Sequence, residues 1–248
     1  MAKKDWLPYY AQHFHTVEIN NSFYKLPSPE TLQQWRDTVP DDFVFSLKAS
    51  QYITHKKKLN DAQATVSNLL ERVNGLGEQL DIILFPLPPR WHCNCQRLRD
   101  CLAALDPEYR YAFEFRDRTW HNSQVYDILA EHGIAFCIYD LGGYLSPKEV
   151  TADFVYLRLH VPQPHFGVGF VNLFKRLIRT DRANFQHMMT LWCHSGFPRF
   201  HRGTGEKNPG LLKVIFDWLK VFEGKLLICW NRTKKNVLNY RQNQKCRS

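Results

Sequence analysis

Six short apolar runs, five of which end in or near charged residues, most constrain the fold. They are Phe14–Asn20, Phe43–Lys48, Leu80–Phe85, Tyr111–Arg116, Ala135–Asp140 and Phe154–His160. Their length and β-branched or aromatic content predict strands. Helical patterns fill most of the gaps: Pro29–Thr38 after the N-cap candidate Ser28, Asn60–Asn74 before Gly75, Cys95–Leu105, and Ser123–His132 before Gly133. Strands alternating with helices predict βαβ units and a parallel sheet. At 248 residues the chain suits one α/β barrel.

The strand ends carry the chemistry. Residues i and i+2 of a strand share a face, so Glu18 pairs with Asn20, Glu114 with Arg116, and Arg158 with His160. Lys48 closes the second strand and Asp140 the fifth. Central parallel strands are buried on both faces, where charge is costly unless paired or functional. In a β/α barrel the C-terminal strand ends form the active-site face. A purely structural alternative is that these charges are strand-end caps and loop-facing ion pairs.

Charge divides the chain. Of 33 lysines and arginines, 16 lie in residues 161–248 against 4 acidic residues; residues 1–160 hold 17 against 20. A uniformly basic nucleic-acid binder does not look like this. The division predicts a barrel region over 1–160 and a basic C-terminal region over 161–248. Within the latter, Leu211–Phe222 has helical spacing and Leu226–Trp230 could follow as a strand. Seven scattered cysteines suit reduced thiols, and Cys93-x-Cys95 with Cys101 lacks the second pair that zinc would want. No run of 18 apolar residues is present, and the N-terminal residues lack a signal-like apolar stretch, so a cytoplasmic protein without membrane partners is expected.

The runs YYAQHFHTVEINNSFYKLPSPETLQQW, FVFSLKASQYITH, FEFRDRTW and FVYLRLH resemble the YecE-like family, domain of unknown function 72, over residues 6–160. The resemblance implies a TIM-type barrel and no known reaction. It places recurrent positions on Glu18, Asn20, Phe23, Tyr24, Lys48, Thr54, His55, Glu114, Arg116, Trp120, Asp140, Arg158 and His160. It also implies departures. The family's leading strand, of the type GTSGWSY, is missing. Pro86 stands where the family has an amide. The pattern fades after His160, with only Leu226–Trp230 and Asn231 echoing the last strand. The expectation is an incomplete TIM-type parallel β/α barrel from a truncated chain, with a frame-shifted or divergent end, and two raw sheet edges.

Three cations (Lys48, Arg116, Arg158) and three carboxylates (Glu18, Glu114, Asp140) would share a cavity with His55 and His160. Glu18, Lys48, Glu114, Asp140 and His160 are the candidate catalytic groups; Asn20, Tyr24, His55, Arg116, Trp120 and Arg158 are the candidate binding groups. Arginine forks suit phosphate or carboxylate, and a carboxylate or histidine can move a proton. The set fits an enzyme acting on an anionic small molecule. No phosphate loop, GxGxxG or GxSxG motif implies a cofactor or an acyl-enzyme, and three cations would repel a divalent metal. The alternatives are an inactive truncated family member, or nucleic-acid association through the basic region.

Overall fold

A computed structural model describes residues 2–141, 144–159, 189–193 and 226–230. Five helices of the α type are described: α1 Trp6–Ala11, α2 Pro29–Arg36, α3 Ala62–Val73, α4 Cys95–Ala103 and α5 Ser123–Glu131. The strands are β1 Thr16–Ile19, β2 Val44–Lys48, β3 Leu80–Leu87, β4 Arg110–Phe115, β5 Ala135–Leu141, β6 Tyr144–Leu145, β7 Val155–Leu159, β8 Met189–Cys193 and β9 Leu226–Trp230. They form one sheet ordered β1-β2-β3-β4-β5-β7-β8-β9, parallel throughout, with β6 antiparallel on β5. The chain is an incomplete α/β barrel, as the alternating pattern predicts.

Local chemistry sets the helix boundaries. Ser28 Oγ accepts from Thr31 N–H at 3.3 Å ahead of Pro29, fulfilling its expected capping role. Asn94 and Asn122 cap α4 and α5 in the same way. Gly133, φ +62°, closes α5 as expected. Gly75 does not close α3 by a left-handed residue. It is glycine because an added Cβ would lie 2.4 Å from the Pro29 carbonyl oxygen, where the turn after α3 meets the start of α2.

Two apolar layers follow from strand alternation. Leu47, Phe85, Phe113, Phe136, Ile138 and Leu157 face the helices and pack with residues such as Leu32, Val66, Leu98 and Ile128. The alternate residues Ile82, Leu84, Ala112, Ala135, Cys137 and Tyr156 form a separate inner cluster. In the outer layer Phe85 and Phe113 stack at 4.9 Å, and Phe115 stacks on Trp120 at 5.1 Å. Strand β3 extends past its expected end through Pro86, which pairs in register with Glu114. Proline has no N–H to give a ladder, and here it sits next to the last strand residue.

The expectation of two raw edges is altered at the C-terminal side. Leu226–Trp230 is a strand, and Met189–Cys193, which the sequence reading did not single out, is another. They extend the sheet beyond β7, and β9 comes back beside β1. The helical spacing at Leu211–Phe222 lies outside the described residues.

Truncating Phe113 to alanine removes a fully buried ring from the outer layer. Its cost is expected at about 3–5 kcal/mol, read as a lower denaturant midpoint at unchanged slope.

Candidate functional site

Inward-facing positions at the ends of β1, β2, β4 and β7 bring four charged residues together. Arg158, on β7, is fully buried. Its Nη1 donates to Glu114 Oε2 of β4, and its Nη2 to Glu18 Oε1 of β1 at 3.3 Å. Glu114 takes a second donor, Arg116 Nε, at 2.6 Å. Glu18 takes Tyr156 Oη at 2.7 Å. Each carboxylate thus accepts two hydrogen bonds, from guanidinium or phenol donors.

Burial alone would push the Glu114 pKa up, but Arg158 and Arg116 outweigh it and hold the carboxyl well below its usual range. Burial likewise opposes charge on Arg158, and Glu114 and Glu18 restore it.

Lys48 ends β2 and is 8% exposed. Its ammonium stands 4.6 Å from the centroid of the Phe23 ring and has no hydrogen-bond acceptor among the described residues. Ser22 Oγ lies 2.7 Å from both the Ile19 and the Lys48 carbonyl oxygens, tying the ends of β1 and β2 together. Burial and the Arg158 charge lower the Lys48 pKa to about 8; Glu18 and Glu114 oppose this only in part, and Arg116 adds to it. His55 follows in the turn Tyr52–Lys56, its ring edge-on to Phe23 at 5.0 Å and its Nδ1 2.8 Å from Thr54 Oγ1. Burial lowers its pKa, helped by Arg116 and Lys48, so the imidazole is neutral at pH 7.

The expected set is gathered in part. Glu18, Lys48, Glu114, Arg116 and Arg158 meet, with His55 beside them and Asn20 at the edge, its Nδ2 donating to the Glu18 carbonyl at 3.4 Å. Tyr24 is 75% exposed, its ring at right angles to Phe23 at 5.1 Å. Trp120 is not with them. It is buried in the outer layer, where its indole N–H donates to the Trp91 carbonyl at 2.7 Å. Asp140 shares its strand parity with Phe136 and Ile138 of the outer layer, and the inward position before it is Tyr139. His160 lies outside the described residues. Tyr156 was missed, although it precedes Arg158 by two and therefore shares its face.

The sequence model of the family described as "Protein of unknown function DUF72" matches residues 1–193. This chain belongs to the DUF72 family. The match runs past residue 160, where the pattern had faded to inspection. Among curated DUF72 relatives, UPF0759 protein YecE of Escherichia coli (strain K12) is 33% identical over 116 residues, covering 43% of this chain and 40% of that protein. UPF0759 protein YunF of Bacillus subtilis (strain 168) is 28% identical over 140 residues, covering 51% and 48%. The chain therefore spans less than half the length of these relatives. Two solved DUF72 structures share the fold. The one from Enterococcus faecalis V583 has a TM-score of 0.66 at 16% identity, covering 89% of this chain and 94% of its own. The one from Thermotoga maritima MSB8 has a TM-score of 0.58 at 23% identity, covering 93% and 84%. Among the described residues no helix is long and apolar enough to cross a membrane.

Two predictions follow from the charges. Glu114→Ala strands two guanidiniums, one of them fully buried, and is expected to destabilise by about 3–5 kcal/mol in chemical unfolding, more than Glu114→Gln. The second concerns pH. Between pH 8 and the ordinary lysine value of 10.5 the unfolded chain holds a proton at Lys48 that the folded chain has released. Stability therefore rises with pH across that window. Below it the native protein carries the full cost of a buried ammonium, roughly 3 kcal/mol at 1.36 kcal/mol per unit. Lys48→Met removes that cost. The stability gap between the two proteins should narrow from pH 8 to 10.5; a constant gap would contradict the assignment.

Proposed function

We propose that the strand-end cluster is the site of an enzyme that binds a small anionic molecule, phosphate- or carboxylate-bearing, and moves protons on it. One observation carries the reading. Both buried carboxylates are neutralised by arginine, yet two cationic groups remain with unused donors. Lys48 has no acceptor among the described residues. Arg116 gives only its Nε to Glu114, and its side chain is 25% exposed. With Glu18 and Glu114 set against Arg158, Arg116 and a protonated Lys48, the cluster carries one surplus positive charge, which one anionic group would balance. A guanidinium fork suits such a group.

The same arrangement supports acid–base work. An amine with a pKa near 8 and a neutral imidazole are both able to exchange protons close to neutral pH. The reduced thiols Cys93, Cys95, Cys101 and Cys137 suit a cytoplasmic setting, which we include in the reading.

The test is a thermal-shift and calorimetric titration with inorganic phosphate, acetate and sulfate, followed by turnover assays on phosphoesters and sugar phosphates. Arg116→Met is expected to weaken anion binding about tenfold or more, equivalent to about 1.5–3 kcal/mol for charge-assisted hydrogen bonds. Lys48→Ala and Glu114→Gln are expected to abolish turnover. Equal turnover in the variants, or anion binding indifferent to Arg116, would remove the proposal.

A further inference from the structure

We propose that Lys48 is a nucleophile that forms an imine with a small carbonyl compound whose anionic group is held by Arg116. This rests on the anionic-ligand reading above and names its substrate class: a short 2-oxo acid, or an aldehyde or ketone bearing a phosphate.

The placement of Lys48 supports a nucleophile rather than a structural cation. A structural lysine buried to this degree is normally paired with a carboxylate or capped by carbonyl oxygens. Here the two nearest carboxylates are occupied by Arg158, Arg116 and Tyr156. The amine is left against the face of Phe23 at the end of a barrel strand. Two guanidiniums nearby disfavour its protonated form, and desolvation acts in the same direction. Desolvation and neighbouring cations are the means by which a lysine amine becomes reactive toward carbonyls. Arg116, joined to the same carboxylate as Arg158, is partly exposed and can hold the anionic end while the carbonyl carbon reaches Nζ.

The chemistry balances without another reagent. The Nζ lone pair attacks the carbonyl carbon and the carbonyl π pair moves to oxygen, which takes a proton. Nitrogen loses a proton, giving a carbinolamine. The proton released by nitrogen is returned to that hydroxyl, which leaves as water to give a protonated imine, and loss of the N–H proton gives the neutral imine. Amine and carbonyl thus become imine and one water. His55, neutral and within electrostatic reach of Lys48, is the group on hand to carry the proton.

Reductive trapping on the full chain tests this. The protein is incubated with glyoxylate, pyruvate or glyceraldehyde 3-phosphate and sodium cyanoborohydride, then mapped by peptide mass spectrometry. One adduct is expected at Lys48, forming at least tenfold faster than at the exposed lysines Lys56 and Lys58, and slowed by inorganic phosphate. Unphosphorylated glyceraldehyde should label Lys48 at least tenfold more slowly than its phosphate ester. Lys48→Arg, which keeps the charge, should lose the adduct while retaining its phosphate-induced thermal shift. Arg116→Met should need at least tenfold more carbonyl compound for the same labelling. Adducts spread evenly over the surface lysines would overturn the proposal. So would an unlabelled Lys48 in a protein that still binds phosphate through Arg116, and that result leaves the anion site standing. Loss of phosphate binding and of labelling together removes both readings.

Discussion

The interaction on which the site depends is the buried guanidinium of Arg158, held between Glu114 and Glu18. It joins β7 to β4 and to β1 across the inside of the sheet, between residues 44 and 140 positions apart in sequence. An ionised arginine in such a place is tolerated only because two carboxylates meet it, and those carboxylates are tolerated only because Arg158, Arg116 and Tyr156 meet them. The network is therefore all or nothing. A packed hydrophobic replacement of the whole cluster could match its stability, whereas loss of one member leaves a bare charge inside a low-dielectric shell. Such a cluster is therefore weak evidence for added stability.

The same pairing decides the state of Lys48. Were Glu18 or Glu114 unengaged, either would be its natural counter-ion and would hold the ammonium charged. Because both are shared with arginine, their pull on Lys48 is offset by the repulsion of the arginines, and burial brings its pKa down to about 8. The cation–π contact with Phe23 favours the ammonium, but such contacts contribute only about 0.5–2 kcal/mol. Burial is the leading cause of the lowered Lys48 pKa, and the surrounding charges partly offset one another.

How much of this was legible in the sequence depends on strand parity. Glu18, Glu114 and Arg158 were recoverable because each sits one residue from apolar neighbours of the opposite face. Asp140 was not separable from them by the same rule. Strand β5 is apolar on both faces, so Phe136 and Ile138 look no different from Cys137 and Tyr139 until the helices show which face is outer. Trp120 followed a charged strand end by a few residues and shared its motif, yet its indole stacks on Phe115, which faces away from Glu114. Gly75 carried a helix-stop signal, but its reason is the approach of the Pro29 carbonyl, which no local pattern contains. Strand β8 escaped notice because a run of five residues gives too little periodicity to stand out from its surroundings.

The placements set the cluster apart from the last two strands of the sheet. Every described member of the cluster lies between Glu18 and Arg158, on β1, β2, β4, β7 and the loops after them. Strands β8 and β9 add no described side chain to it, but they continue the ladder from β7, with Trp192 and then Cys229 level with Arg158, and bring β9 beside β1. Glu18 sits on β1 and Arg158 on β7, so the ion pair that crosses the interior and the strands that curl around the outside hold the same two strands. Both the ion pair and the strand ladder therefore bear on the distance between β1 and β7. The geometry of the strand-end cluster thus depends on a pair of strands filling the space between β7 and β1, which β8 and β9 do here.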